Sequence, residues 1–304
     1  MRVLVAGGTG ALGRRAVPRL LDAGHEVVAV SRSDASDRWL SERGAKPVRL
    51  DVFDTGAARA LAASHDVGVV ANLATSIPVG NAALRMGAWE TNSRLRRDAS
   101  RALAMAANDV GARFVQESFA PTYPDRGDAW IDEDVPLEPY AQTMTVPDAE
   151  ASARSITAAG GTGVVLRFGL FYDAGASAAV LAMARRGRLM LPGSPTGYVS
   201  MIHLEDAGAA VVAALSVPAG TYNVVEDEPA TRSEHAEILG ELLGRPRIRP
   251  LPAPLARLRL LRVLARSHRI ANGRLKRVSD WTPVYPNPRA GWQQIVQESV
   301  GSQA

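Results

Sequence analysis

The chain of 304 residues contains no cysteine. Disulfides, thiolate metal sites and cysteine nucleophiles are therefore excluded. Lysine is nearly missing too: of 35 basic residues only Lys46 and Lys276 are lysines and the other 33 are arginines. Chemistry that needs an ammonium group beside a catalytic side chain has two positions to draw on. Aromatic residues make up 5%. No apolar run approaches the roughly 18 residues of a membrane-spanning helix. The opening MRVLVAGGTG lacks the longer apolar core of a signal peptide, so a cytoplasmic protein is expected. His25, His65, His203, His235 and His268 are scattered without metal-ligand spacing, and no metal is expected. At 46% hydrophobic, the chain is too apolar for a disordered segment.

What is present alternates. Residues 2–6 form a short apolar run followed by Gly7, Gly8, Gly10 and Gly13. Leu12, Ala16, Val17, Leu20 and Leu21 then recur at helical spacing up to Gly24, a natural left-handed cap, with Pro18 expected to kink the helix. Strand-like runs follow at 25–32, 46–52, 66–74, 112–118, 163–171 and 220–227, with a helix over about 91–109. Strands alternating with helices imply right-handed crossovers and an α/β fold: a Rossmann-like doubly wound parallel sheet. Residues 1–171 with 199–227 are read as this domain. Residues 172–198 with 228–304, richer in Gly, Pro and Arg, are read as a smaller C-terminal substrate-binding cap.

The segment VAGGTGALG places Gly7, Gly10 and Gly13 between a strand and a helix. A tight turn, close backbone approach to a diphosphate and close helix packing each require a glycine there, and the helix N-terminus attracts the anion. Gly7, Thr9, Gly10, Ala11, Leu12 and Gly13 are accordingly expected to hold a dinucleotide. The second strand ends in Ser31-Arg32-Ser33, with the first acid at Asp34. An acid at this end would repel a 2′-phosphate, whereas a hydroxyl and a guanidinium suit one. NADP is expected, with NAD compatible. Asp51 and Val52 are placed for the adenine, Leu73, Ala74 and Thr75 for the middle of the cofactor, and Phe168, within the run 163–171, is a further expected cofactor contact.

With VAGGTGALG, VSRS, LDV, ANLAT, Asn92, FVQESFAPTYP, VVLRFGLFYD, MIHLEDAGAA and WTPVYP in this order, the chain resembles the short-chain dehydrogenase/reductases. It is most similar to their extended or atypical branch, the NAD-dependent epimerase/dehydratases. The resemblance implies hydride chemistry at a nicotinamide on a small hydroxyl or carbonyl substrate, and a helix-mediated homodimer. In that family a Ser or Thr works with Tyr-x-x-x-Lys: the tyrosine moves the proton and the lysine lowers its pKa. Four residues after the six tyrosines stand Gly127, Met144, Ala176, Ile202, Glu226 and Arg289, none of them lysine. Tyr140 best matches the family tyrosine, with Met144 in the lysine place. Ser118 lies one residue before the expected serine position, which is Phe119.

Ser118 and Tyr140 are thus the catalytic candidates. Glu117 is a further acid or base if burial raises its pKa. Glu150 and Asp148 read as a first-turn carboxylate and a helix cap, Tyr123 as a packed aromatic and His203 as a structural histidine. Residues 245–277 carry ten Arg and one Lys without an acid. Within them 255–266 read first as an amphipathic helix with a solvated arginine face, second as a pocket for a phosphorylated or carboxylated substrate, and last as a nucleic-acid or membrane surface. Two alternatives to the oxidoreductase or epimerase/dehydratase reading stay open. One is a non-redox isomerase or cyclase on the same fold; the other is a non-catalytic dinucleotide-binding sensor.

Overall fold

A computed structural model describes residues 1–78, 80–189, 191–245, 247–250 and 261–301. The chain starts as β1 (Arg2–Ala6), α1 (Gly13–Asp22), β2 (Glu26–Ser31), α2 (Asp34–Ser41), β3 (Lys46–Arg49), α3 (Thr55–Ser64) and β4 (Val69–Asn72). Glu90–Arg94, a π-helical turn Leu95–Ala99 and Ser100–Asp109 then run on as one helix, α4. There follow β5 (Arg113–Phe119), α5 (Val146–Ala158), β6 (Gly163–Phe168), α6 (Ala178–Arg185), α7 (Leu204–Ala213) and β7 (Gly220–Val224). The chain closes with α8 (Arg232–Leu242), α9 (Arg262–Ala265), α10 (Gly273–Val278) and α11 (Pro288–Gly301).

The seven strands form one sheet in the order β7-β6-β5-β4-β1-β2-β3. Every pairing is parallel. Parallel strands need crossovers, and helices on both faces explain why β4 and β6 are buried along their whole length. One face packs Val3, Val5 and Val115 against Val17 and Leu20 of α1 and Val211 of α7. The other packs Leu4, Val70 and Phe114 against Leu103 of α4 and Ile156 of α5. A third apolar cluster lies apart from the sheet, with Leu181, Leu189, Leu239, Trp292 and Ile295 in it. The strand order reverses between β1 and β4, and ligands of open parallel sheets bind beyond the carboxyl ends at such a point.

Three local expectations need correcting. The run 163–171 is not one strand: it divides at Gly169, where a Cβ would meet the Ser200 carbonyl oxygen at 2.8 Å. Leu170–Tyr172 then leaves the sheet to pair with Met201–His203. Second, α5 begins at Val146 after Thr145, so Asp148 lies in its first turn and does not cap it. Glu150 points inward and is 1% exposed, instead of facing water at the helix end. Finally, residues 255–260 of the arginine run lie outside the described residues, and Arg266, Arg269 and Arg274 after them are partnered. Arg266 donates to the Tyr123 carbonyl and to Glu138, Arg269 covers Trp130, and Arg274 meets Glu133 and Asp134.

Candidate active site

The turn after β1 is built by backbone contact. Gly7 has φ +83°, and a Cβ there would sit 2.6 Å from the Leu73 carbonyl carbon. A Cβ on Gly13 would overlap the Gly7 carbonyl oxygen and come within 2.6 Å of Gly8 Cα. Both positions therefore exclude a side chain. The Gly10 N–H donates to the Gly7 carbonyl (3.0 Å), closing the turn. Gly10 and Ala11 are exposed at its tip, directly before α1. Exposed peptide groups at a helix start, with no side chain in the way, fit the diphosphate of a dinucleotide.

At the carboxyl end of β2, Ser31 is 3% exposed and donates its hydroxyl proton to Asp37. Arg49 covers both nearby acids, Asp34 and Asp37. Arg32 is exposed and pairs with no described residue. Trp39 lies between Arg14 (4.7 Å) and Arg43 (4.1 Å). This end of β2 therefore presents guanidinium charge, with its carboxylates already neutralised. Asp51 is exposed and accepts the Phe53 N–H (3.0 Å), and Val52 beside it is half-buried.

Beyond β4, Asn72 fixes the loop that faces the glycine turn. Its amide donates to Gln116 (2.9 Å) and Ser100 (3.0 Å), and its oxygen accepts the Ala74 N–H (3.3 Å). Asn92 holds the Ser76 N–H at 2.9 Å. Leu73 is buried, Ala74 half-buried and Thr75 exposed along this loop. Phe168 is 1% exposed and packs on Phe171 with ring centres 5.3 Å apart.

Ser118 and Tyr140 do not come together. Ser118 donates to Glu150 Oε1 at 2.7 Å inside a saturated cluster. Arg167, its neighbour across β6, grips the same carboxylate with Nε and Nη2, both at 2.8 Å. Arg167 Nη1 also donates to the Tyr123 hydroxyl (2.6 Å), which donates in turn to Asn223 (2.9 Å). Burial pushes the Glu150 carboxyl up, but Arg167, Ser118 and Arg154 outweigh it and hold the group below its ordinary range. Burial likewise drives Tyr123 up to about 12 against the pull of Arg167. Tyr123 thus stays neutral at any physiological pH, as a packed aromatic would. Tyr140 lies half-buried outside this cluster, under the guanidinium of Arg262 at 5.2 Å. Ala141 beside it adopts φ +51°, an uncommon conformation for a residue with a Cβ.

Glu117 lies 3.6 Å from the Arg96 guanidinium, which comes from the π turn of α4. Burial raises the Glu117 pKa, Arg96 opposes that, and the nearby Glu150 adds to it. His203 is buried and structural: its Nδ1 accepts the Glu205 N–H at 3.3 Å and its ring packs on Tyr285 at 4.1 Å. Two of these residues, Arg167 and Arg96, had escaped sequence reasoning. Arg167 carried a signal, since an arginine in the wholly apolar VVLRF must find a partner. Arg96 carried none, because regular helical spacing does not foresee the extra residue of a π turn.

A glycine turn that admits only peptide groups, at the switch point of a parallel sheet, suits a nucleotide, and comparison with known proteins gives the family. Residues 3–224 match the model of the NAD dependent epimerase/dehydratase family, and the chain belongs to that family. It is 34% identical, over 96% of its length and 99% of the relative's, to a 3-diazoavenalumate denitrifying reductase of Streptomyces sp. Epimerase family protein SDR39U1 of Bos taurus is 27% identical over 83% of this chain and 84% of its own. Human SDR39U1, solved with NADPH, superposes with a TM-score of 0.77 at 27% identity, over 98% of this chain and 99% of that one. A UDP-glucose 4-epimerase of Thermotoga maritima shares the fold at a TM-score of 0.78 and 17% identity, each chain covered fully.

Proposed function

We propose that this protein is an NADPH-dependent reductase of a small carbonyl-bearing molecule, bound between the sheet rim and a cap made by residues 172–198 and 228–304. The observation that carries the reading is the turn closed by Gly7 and Gly13, which admits peptide groups and no side chain. The reduced nicotinamide, when bound, supplies hydride. The chain's own residues bind, orient and move the proton. Gly7, Thr9, Gly10, Ala11, Leu12 and Gly13 hold the diphosphate. Arg32 meets the 2′-phosphate beside Ser31. Asp51 and Val52 flank the adenine, and Leu73, Ala74 and Thr75 line the middle, with Phe168 beneath the far end. Ser118 acts through Glu150, keeping the floor of the rim in place, and Tyr140 is the hydroxyl at the mouth. The reductase relative and the NADPH-bound SDR39U1 support the direction and the cofactor.

A second reading, reductive loss of nitrogen from a diazo compound, is favoured by one observation. The relative that covers nearly the whole chain is named for that reaction, and expulsion of nitrogen leaves no alkoxide for a tyrosine–lysine pair to protonate. Loss of the reduced-nicotinamide absorbance separates the readings when it is followed with ketones, aldehydes and an aryl diazo compound, and nitrogen release is measured alongside. Turnover of carbonyls without gas supports the first reading, and stoichiometric nitrogen supports the second. Tight NADPH binding without oxidation in any arm would overturn both in favour of a sensor.

A further inference from the structure

Two buried ion pairs flank the end of β5, and only one is complete. Glu150 and Arg167 share two hydrogen bonds of 2.8 Å, and Ser118 supplies a third contact at 2.7 Å. Arg96 and Glu117 are as deeply buried, with side chains 4% and 5% exposed, yet they stand 3.6 Å apart. That distance suits charge attraction and is too long for a hydrogen bond. Arg96 Nε and Glu117 Oε2 are both buried without a hydrogen-bond partner among the described residues. Buried polar atoms in native proteins almost always find partners, so an orphan donor and an orphan acceptor carried by one ion pair mark a place for a bound group. The π turn that delivers Arg96 is a second unusual feature of the same spot, and such turns cluster at functional sites. Phe119, two residues nearer the rim on the same strand face, is half-buried, and its ring centre is 6.0 Å from Arg96 Cζ.

An orphan N–H and an orphan carboxyl oxygen on the two members of one ion pair are complementary to one oxygen that changes between carbonyl and hydroxyl. A carbonyl oxygen accepts from both groups when the carboxyl carries its proton. A hydroxyl accepts from the arginine and donates to the carboxylate. We propose that Arg96 and Glu117 hold the reacting oxygen of the substrate and supply its proton, replacing the absent tyrosine–lysine pair. The proposal rests on the reductase reading. The Glu117 O–H bond breaks as the new O–H bond of the alcohol forms, and the carboxylate left behind is held by Arg96 until solvent reprotonates it. The hydride comes from a reduced nicotinamide. The charged groups facing Glu117 are Arg96 from α4 and Glu150 from α5, and Glu150 is already saturated by Arg167.

The test uses the full chain with NADPH. Infrared difference spectra at pH 7 between wild type and Glu117→Gln should show a carboxylic-acid carbonyl band that the variant loses. No such band means an ionised Glu117 and overturns the proposal before any substrate is known. With a carbonyl substrate from the panel above, Glu117→Gln should lower kcat by about 100-fold or more and remove the alkaline limb of the rate profile. Glu117→Asp should keep that limb at reduced rate, which covers the case in which glutamine folds poorly. Arg96→Lys should retain part of the rate and Arg96→Met should not, while NADPH affinity, read by its fluorescence, stays at the wild-type value in all four. Unchanged kcat in the Glu117 and Arg96 variants of a protein that does reduce carbonyls overturns the pair and leaves the reductase reading standing. A wild type that binds no NADPH overturns that reading and the pair with it.

Discussion

The two ends of the sheet rim are built by different means. At the β1 end, everything that shapes the turn lies within residues 7–13 and the backbone of Leu73 and Ala74. At the β5 end, the Ser118 cluster joins side chains from separate segments: Glu150 lies 32 residues from Ser118, Arg167 44 from Tyr123, and Asn223 100 from Tyr123. The first is a matter of backbone room, which glycine alone provides. The second is a matter of charge compensation among groups that meet only when the chain folds. Replacing glycine should therefore destroy binding outright, whereas replacing a side chain in the cluster should cost stability and spare the cofactor.

The largest effect is expected at Gly13. Even Gly13→Ala puts a methyl against the Gly7 carbonyl and within 2.6 Å of Gly8, so α1 must shift away from β1. NADPH affinity should fall by about 100-fold or more, since a shift near 1 Å at a positioning element has that order of effect. Overpacking of this kind also costs about 1–3 kcal/mol of stability. Fluorescence titration and thermal unfolding measure the two. Undiminished affinity would show that the helix start is not where the diphosphate sits, and the contrast between the two ends would dissolve.

Removing charge from the saturated cluster is the next largest test. Glu150→Gln leaves Arg167 buried without its counter-ion, and breaking one side of a buried pair costs about 3–5 kcal/mol. Ser118→Ala removes one hydrogen bond to a charged group, about 1.5–3 kcal/mol. Urea unfolding should rank the two in that order, with NADPH affinity unchanged in whatever remains folded. A Ser118→Ala variant of full stability that has lost turnover would place Ser118 in the reaction instead of beneath it.

How much could be read beforehand follows the same division. The glycine turn, the alternation of strands and helices and the missing tyrosine–lysine pair are local or compositional, and all were legible. The break at Gly169 was not, because an apolar run reads as one strand until the Ser200 carbonyl is known to press on it. Glu150 looked like a first-turn carboxylate because Asp148 was read as the cap, three residues after the observed one, Thr145; with the helix starting at Val146, Glu150 lies beyond the first turn and points inward. The inward direction of Arg96 depends on a π turn, which leaves no trace in residue spacing.

The smallest expected effect concerns the adenosine end, where backbone and side chain act together. Ser31 is committed to Asp37, and Arg49 already neutralises Asp34 and Asp37. Arg32 is therefore the uncommitted charge at the carboxyl end of β2. Charge-assisted hydrogen bonds are worth about 1.5–3 kcal/mol, and about 1.4 kcal/mol is a factor of ten in affinity. Arg32→Asp should thus weaken NADPH binding by about tenfold to a hundredfold. NADH, which lacks the 2′-phosphate, should bind about as well as before. Because Arg32 is exposed, salt should shrink the NADPH difference, as screening falls hardest on charges in water. An equal loss of both cofactors would move the phosphate elsewhere, with Arg14 and Arg43 against the Trp39 ring the next place to look.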